Sequence, residues 1–241
     1  MPDQQRVPII MVTRNGLALT KNAVRSALAQ DVPVDLLIVD NQSTDGTIEW
    51  LRSKAGISTI FMPKQMSLAA CWNSALKILW KLGHDRALVI NNDVVLRPDT
   101  VRLLNEHGGD FVTCVSVDSL DRIGTPGDRL IDDLRKAGRF HPDFSAFFIR
   151  KSVTDRVGWF NEECFPGYVE DSFFHVAMHH AGVKAVCIDL PFYHVGASTL
   201  KMALAGEALR IRRGADANRE RFRQKYGCLP GSPEYNRIFE S

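Results

Sequence analysis

No glycine-rich phosphate cradle occurs in these 241 residues: no G-x-G-x-x-G follows the first apolar run, and G-x-x-x-x-G-K-[ST] is found nowhere. That argues against a dinucleotide-dependent dehydrogenase and against a P-loop NTPase. Cysteine is sparse and unpaired, because Cys71, Cys114, Cys164, Cys187 and Cys228 stand singly with no C-x-x-C, so neither a zinc knuckle nor a disulfide framework is expected. No apolar run approaches the ~18 residues of a membrane span, the longest being strand-like stretches such as Val7 to Val12. The opening MPDQQRVP lacks the basic and then apolar pattern of a secretory signal, and the expected location is cytoplasmic. Neither sign of charge dominates: the net charge is +2, with nine Lys and Arg against five Asp and Glu from Lys201 onward, which makes the tail the basic part.

What is present is an ordinary globular composition, 45% hydrophobic and 24% charged, in a chain long enough to bury a core without staples. Val7 to Arg14 reads as a strand buried on both faces, and LALTKNAVRSALAQ follows with apolar positions at helical spacing. Val34 to Val39 is a second buried strand, and Thr44 with Asp45 would cap the helix after it. A strand over Ile57 to Met62, a helix over Ser67 to Leu82 and a strand over Ala87 to Ile90 continue the alternation. Such alternation implies an α/β fold with a mostly parallel sheet, whose ligand site lies at the carboxyl ends of the strands. Beyond residue 110 the pattern loosens. Strands are expected over Asp110 to Val117, Phe144 to Ile149 and Val183 to Ile188, and helices over Ser152 to Val157 and Val169 to Ala181, with a helical remainder. Asp118 to Pro142 reads as a long functional loop, a natural lid.

Polar residues gather where strands end: Thr13 and Asn15, then Asp40 and Asn41, then Asn91, Asn92 and Asp93. Any one cluster is adequately explained by the turn chemistry of Asn and Asp, but three on one rim favour a ligand site. Without a glycine cradle a bound diphosphate would need a hard divalent cation, for which Asp93 is the ligand to expect. Glu170 and Asp171 open a helix, where acids complement the helix dipole as readily as they catalyse. Asp171, His175 and His179 also share a helix face at spacings that permit a metal site, although such histidines commonly just pack.

Taken in order, these segments resemble the inverting family 2 glycosyltransferases of the GT-A fold, in particular their rhamnosyltransferase-like, phage and bacterial members. VPIIMVTRN is similar to that family's first strand, LLIVDNQSTDGT to its second strand and acidic turn, and VINNDV to its metal motif. FFIRKSVTDRVGWFNEECFPGYVEDSFFHVAMHHAG resembles the acceptor-side signature, YHVGAST the late His segment and ANRERFRQKYG a closing helix. The chain departs from the pattern with Asn41 in place of a second acid, Asn91 where an acid is common, and Lys64-Gln65 where Asn-x-Gly is frequent.

The resemblance implies a Rossmann-like, mostly parallel sheet flanked by helices, with an acceptor-side extension. Residues 1–227 would form a single domain, with 7–110 the nucleotide-sugar half, 111–200 the acceptor half and 201–241 a basic helical C-terminal segment. Thr13, Asp40, Asn41 and Asn73 would contact the nucleoside of a UDP- or dTDP-sugar, with Asn15 and Asn92 at the same rim. Asp93 and His194 would hold manganese or magnesium, Asp171 would be the general base, and Glu170 would orient sugar or acceptor. The implied acceptor is a glycan. The arginines from Arg210 to Arg223 keep a hydroxymethylated base of phage DNA open as acceptor, although a solvated helix face explains them as well. Two other classes compete: a metal-dependent phosphoryl transferase, and a non-catalytic member of the fold that binds nucleotide sugar or nucleic acid.

Overall fold

The first strand, β1 (Val7–Thr13), is buried along its whole length, and its side chains divide by parity. Ile9 and Met11 enter one hydrophobic cluster while Ile10 and Val12 enter another, as the period of two requires of a strand covered on both sides. The computed structural model describes residues 6–124, 142–196, 203 and 205–240. Most of the long loop read from the sequence, 125–141, lies outside the described residues; its beginning holds a single 3-10 turn, Leu120–Arg122.

Helix α1 (Leu17–Leu28) leads to β2 (Val34–Asp40), α2 (Thr47–Arg52), β3 (Ser58–Phe61), α3 (Leu68–Lys81) and β4 (Arg86–Asn91). Then come β5 (Val94–Val95), α4 (Thr100–His107), β6 (Phe111–Val117), β7 (Ala146–Arg150) and α5 (Lys151–Val157). The chain continues through α6 (Glu170–His180), β8 (Ala185–His194), α7 (Ala205–Tyr226) and α8 (Pro233–Arg237). The eight strands of the described residues form one sheet in the order β3-β2-β1-β4-β7-β6-β8-β5. The four strands from β3 to β4 are parallel, β7 is antiparallel to both its neighbours, and β8 is again parallel to β6.

Residues of α1, α2 and α4 pack on one face of the sheet, while α3, α5 and α6 cover the other. Under α6 lies an aromatic layer in which Phe160 stacks on Phe174 at 3.9 Å and Trp72 meets Phe147 edge-on at 5.4 Å. Such pairs prefer offset or edge-to-face geometry and add roughly 0.5–1.5 kcal/mol each beyond area burial. A third cluster joins α6 to the C-terminal helices through Phe173, Val176, Phe222 and Tyr235.

Three local details differ from the sequence expectation. Helix α2 begins after Gly46, with Asp45 Oδ1 accepting from Thr47 N at 3.2 Å and from its hydroxyl at 2.6 Å, so Asp45 braces the turn from one residue further out. Strand β8 runs past Ile188 to His194 and includes Pro191. A shift of register between Thr113 and Val115 of β6 accommodates this, since a bulge tolerates a residue without an N–H. Helix α4 was not anticipated. Among the described residues no helix is long and apolar enough to cross a membrane.

Candidate active site

The parallel strands end together, and Asp40 and Asn91 there close β2 and β4 beside Thr13 of β1. A cavity of about 520 Å³ opens at this edge, lined by Asn41, Asn91, Asn92 and Asp93 and also by Glu170 and Asp171. Buried polar atoms without partners are rare in proteins. Three cavity-lining residues carry one each: Arg14 Nε, Trp72 Nε1 and Glu170 Oε2. Asp40 adds a fourth behind the wall: its Oδ1 accepts from Ser43 N at 3.1 Å while Oδ2 has no partner.

The residues singled out from the sequence divide into those that reach the cavity and those that build its frame. Thr13 does not line it. Its hydroxyl lies 2.8 Å from Thr20 Oγ1, and Asn92 Nδ2 donates to both hydroxyls at 3.1 Å. Asn15, in a left-handed conformation at φ 60°, ties two loops together: its Oδ1 accepts from Thr44 N at 2.7 Å and its N–H donates to Ser43 Oγ at 2.8 Å. Asn73 is wholly buried, and its Nδ2 donates to Phe160 O at 2.9 Å and Glu162 Oε1 at 2.8 Å, while Oδ1 accepts from Phe160 N at 3.1 Å. That amide joins α3 to the 158–162 loop and stands away from the cavity. Asn41 does line the cavity, yet its amide pairs both ways with the backbone of Met66, at 2.9 and 2.8 Å. It therefore shapes the wall by fixing a loop.

Two-residue strand β5 decides where Asp93 and His194 meet. It pairs antiparallel with the end of β8, with Val94 opposite His194, and Val195 N donates to Asp93 O at 3.1 Å. His194 Nε2 thus comes to 3.3 Å from Asp93 Oδ1. The Asp93 carboxylate is a hard oxygen donor of the kind manganese and magnesium take, whereas the His194 imidazole is a nitrogen donor that favours manganese over magnesium. Among the described residues no group of three or more His, Cys, Asp or Glu is placed to hold a metal, so an ion at this pair would need further ligands from a bound molecule or water. His175 and His179 are occupied otherwise: the His175 ring stacks on Phe239 at 4.0 Å and its Nδ1 lies 3.1 Å from Tyr235 Oη.

Glu170 and Asp171, in the same lining, are in unequal surroundings. Glu170 is 4% exposed, and burial, helped by the Asp171 charge, pushes its carboxyl up to about 8. Burial also raises Asp171, but its Oδ1 accepts from Ser172 N at 2.7 Å and from the Ser172 hydroxyl at 3.3 Å, bonds that favour the carboxylate. Of the two carboxyls, Asp171 is the one whose charged form is supported by hydrogen bonds to its neighbour. Burial pushes the Cys71 and Cys164 thiols up to about 12, which removes both as nucleophiles.

Sequence reasoning missed the wall supplied by α7. Arg14 pairs with Glu207, Arg210 Nη2 donates to Gln65 Oε1 at 2.6 Å, and Ile211 is buried against the cavity. Of these, Arg14 and Gln65 sit next to segments already singled out; Glu207 and Ile211 gave no signal.

A mixed α/β sheet of this order, flanked by helices and with its cavity at the strand ends, is the GT-A glycosyltransferase fold. The model of glycosyl transferase family 2 matches residues 9–125. No curated protein sequence matches the chain. The mannosyltransferase PcManGT from Pyrobaculum calidifontis, solved in complex with GDP-Man and Mn2+, superposes with a TM-score of 0.62 at 19% identity, covering 98% of this chain and 68% of that one. TarS 1–349 of S. aureus gives a TM-score of 0.58 at 16% identity over 97% of this chain and 77% of its own. Glucosyl-3-phosphoglycerate synthase from Mycobacterium tuberculosis, solved with Mn2+, UDP and glucosyl-3-phosphoglycerate, gives 0.57 at 14% identity over 88% and 79%.

Proposed function

We propose that this protein transfers a hexosyl or related sugar from a nucleotide diphosphate donor to an acceptor hydroxyl, with inversion at the anomeric carbon. The observation that carries the reading is that one cavity is lined by both the Asp93 and His194 pair and the Glu170 and Asp171 pair. The family match over residues 9–125 and the nucleotide-sugar complexes among the structural neighbours support it.

A UDP- or dTDP-sugar would enter with its base toward Asn41 and Gln65 and its diphosphate toward Asp93. A divalent cation held there by Asp93 and His194 would offset the charge that gathers on the departing diphosphate. Asp171 accepts the proton of the acceptor hydroxyl as that oxygen attacks the anomeric carbon and the bond to the diphosphate breaks. Glu170, protonated, donates a hydrogen bond to a sugar or acceptor oxygen, a role its unpartnered Oε2 leaves open. Tyr168 and Phe144 add aromatic surface to the lining of the same cavity.

A glycan fits better than modified DNA as acceptor. The basic stretch on α7 is largely occupied within the protein: Arg219 pairs with Asp216 at 2.8 Å, Arg223 with Glu220 at 2.7 Å, and Arg221 donates to Glu163 O at 3.0 Å. Residues 7–110 and 111–200 then serve donor and acceptor, and α7 of the C-terminal segment brings Ile211 to the cavity. Incubating the purified chain with labelled UDP-, dTDP- and GDP-sugars, manganese, and panels of glycans and hydroxymethylated DNA tests the reading. Label appearing on a glycan is expected; donors left intact with every acceptor would contradict it, and phosphate retained in the product would indicate phosphoryl transfer.

A further inference from the structure

Helix α7 is charged on most of its outer positions, yet Asn218 in its middle is wholly buried. Its Nδ2 lies 2.9 Å from Gly167 O, 3.1 Å from Tyr168 O and 3.4 Å from Phe165 O. Its Oδ1 accepts from Arg221 Nη1 at 2.8 Å, and the same guanidinium nitrogen donates to Glu163 O at 3.0 Å. The arginine, a donor only, thus fixes which end of the amide faces the loop.

One turn earlier, Gly214 lets the helix backbone rest on the same loop. A Cβ there would stand 2.5 Å from Pro166 Cδ and 2.8 Å from Phe165 O, closer than real contacts allow. The loop held in this way ends in two consecutive left-handed residues, Tyr168 at φ 74° and Val169 at φ 76°. For side chains of this kind, and for a β-branched valine above all, that conformation is strained and persists only where the surroundings impose it. Glu170 and Asp171 follow directly.

We infer that Asn218 is a positioning residue for sugar transfer: by holding the peptide carbonyls of 165–168 it keeps Tyr168 and Val169 in their strained turn and so aims the first turn of α6 into the cavity. The inference rests on the role proposed above for Asp171. Helix packing alone would make Asn218 matter for stability but not selectively for turnover.

The test compares Asn218→Ala, Asn218→Ser and Gly214→Ala with the wild-type full chain, reading kcat at saturating donor and acceptor, the affinity for UDP with Mn2+, and the thermal melt. Misplacing a catalytic group by about 1 Å costs on the order of 10²-fold, so Asn218→Ala is expected to lose about tenfold to a hundredfold in kcat with UDP affinity nearly unchanged. Asn218→Ser, which keeps one donor, should recover part of the loss. Gly214→Ala, which pushes the helix off the loop, should show the same split, and these two variants decide the matter if Asn218→Ala does not fold. Full kcat in a folded Asn218→Ala, or losses in kcat matched by equal losses in UDP affinity, would overturn the positioning role while leaving the functional reading intact. A wild-type chain that transfers no sugar would overturn that reading, and this role with it.

Discussion

His194 Nε2 stands 3.3 Å from Asp93 Oδ1 because a two-residue strand, Val94–Val95, pairs with the end of β8 and sets the register between them. A short antiparallel rung thus joins the donor-side edge of the sheet to the late part of the chain. Everything proposed for the diphosphate depends on that rung.

Asp93→Ala and His194→Ala are therefore expected to weaken donor affinity and turnover together. Activity should vanish in excess chelator and return with manganese or magnesium. Titrating each metal against both variants checks it. Full activity in chelator, with donor affinity unchanged in Asp93→Ala, would remove the metal assignment.

Glu170 makes stability depend on pH. Its carboxyl is raised in the folded protein from 4.5 to about 8, so the folded state holds a proton that the unfolded chain releases. Its contribution to stability is full below pH 4.5 and is lost as pH rises through about 8, with a slope of up to about 1.4 kcal/mol per pH unit. Glu170→Gln, a neutral near-isostere, should flatten that slope and melt higher than wild type at pH 8.5. Melting curves of both proteins from pH 5 to 9 give the comparison, and parallel curves would contradict the buried neutral acid.

Asn73 separates frame from site. Its amide is engaged in three hydrogen bonds to Phe160 and Glu162, so Asn73→Leu should leave buried partners unsatisfied at about 1–3 kcal/mol and lower the melting temperature. Donor KM should change little in the protein that remains folded. A large rise in donor KM without loss of stability would return Asn73 to the nucleoside.

Much of the parallel part of the sheet was legible in the sequence because its signals are local. Val7 to Val12 and Val34 to Val39 are apolar runs whose ends carry Thr13, Asp40 and Asn41, and parallel strands place such ends on one edge. What was not legible depends on partners distant in the chain. Nothing local says that Asn73 faces Phe160 or that Asn41 pairs with Met66, since an asparagine amide serves a frame as well as a ligand. β5 is too short for any periodicity, and Pro191 masks the end of β8. Asn218 and Gly214 sit in a helix that reads as a solvated basic face, and only the loop beneath them shows their use.

Asp171→Asn, assayed for turnover at saturating donor beside a thermal melt, is the most direct test of sugar transfer with Asp171 as base. General-base assistance is worth ~10²–10⁴ in rate, a barrier of roughly 3–5 kcal/mol, whereas asparagine accepts a capping hydrogen bond nearly as well as aspartate. Turnover should fall by that factor with donor affinity and melting temperature close to wild type. Near-normal turnover for Asp171→Asn would contradict the catalytic role and leave the residue as a helix cap.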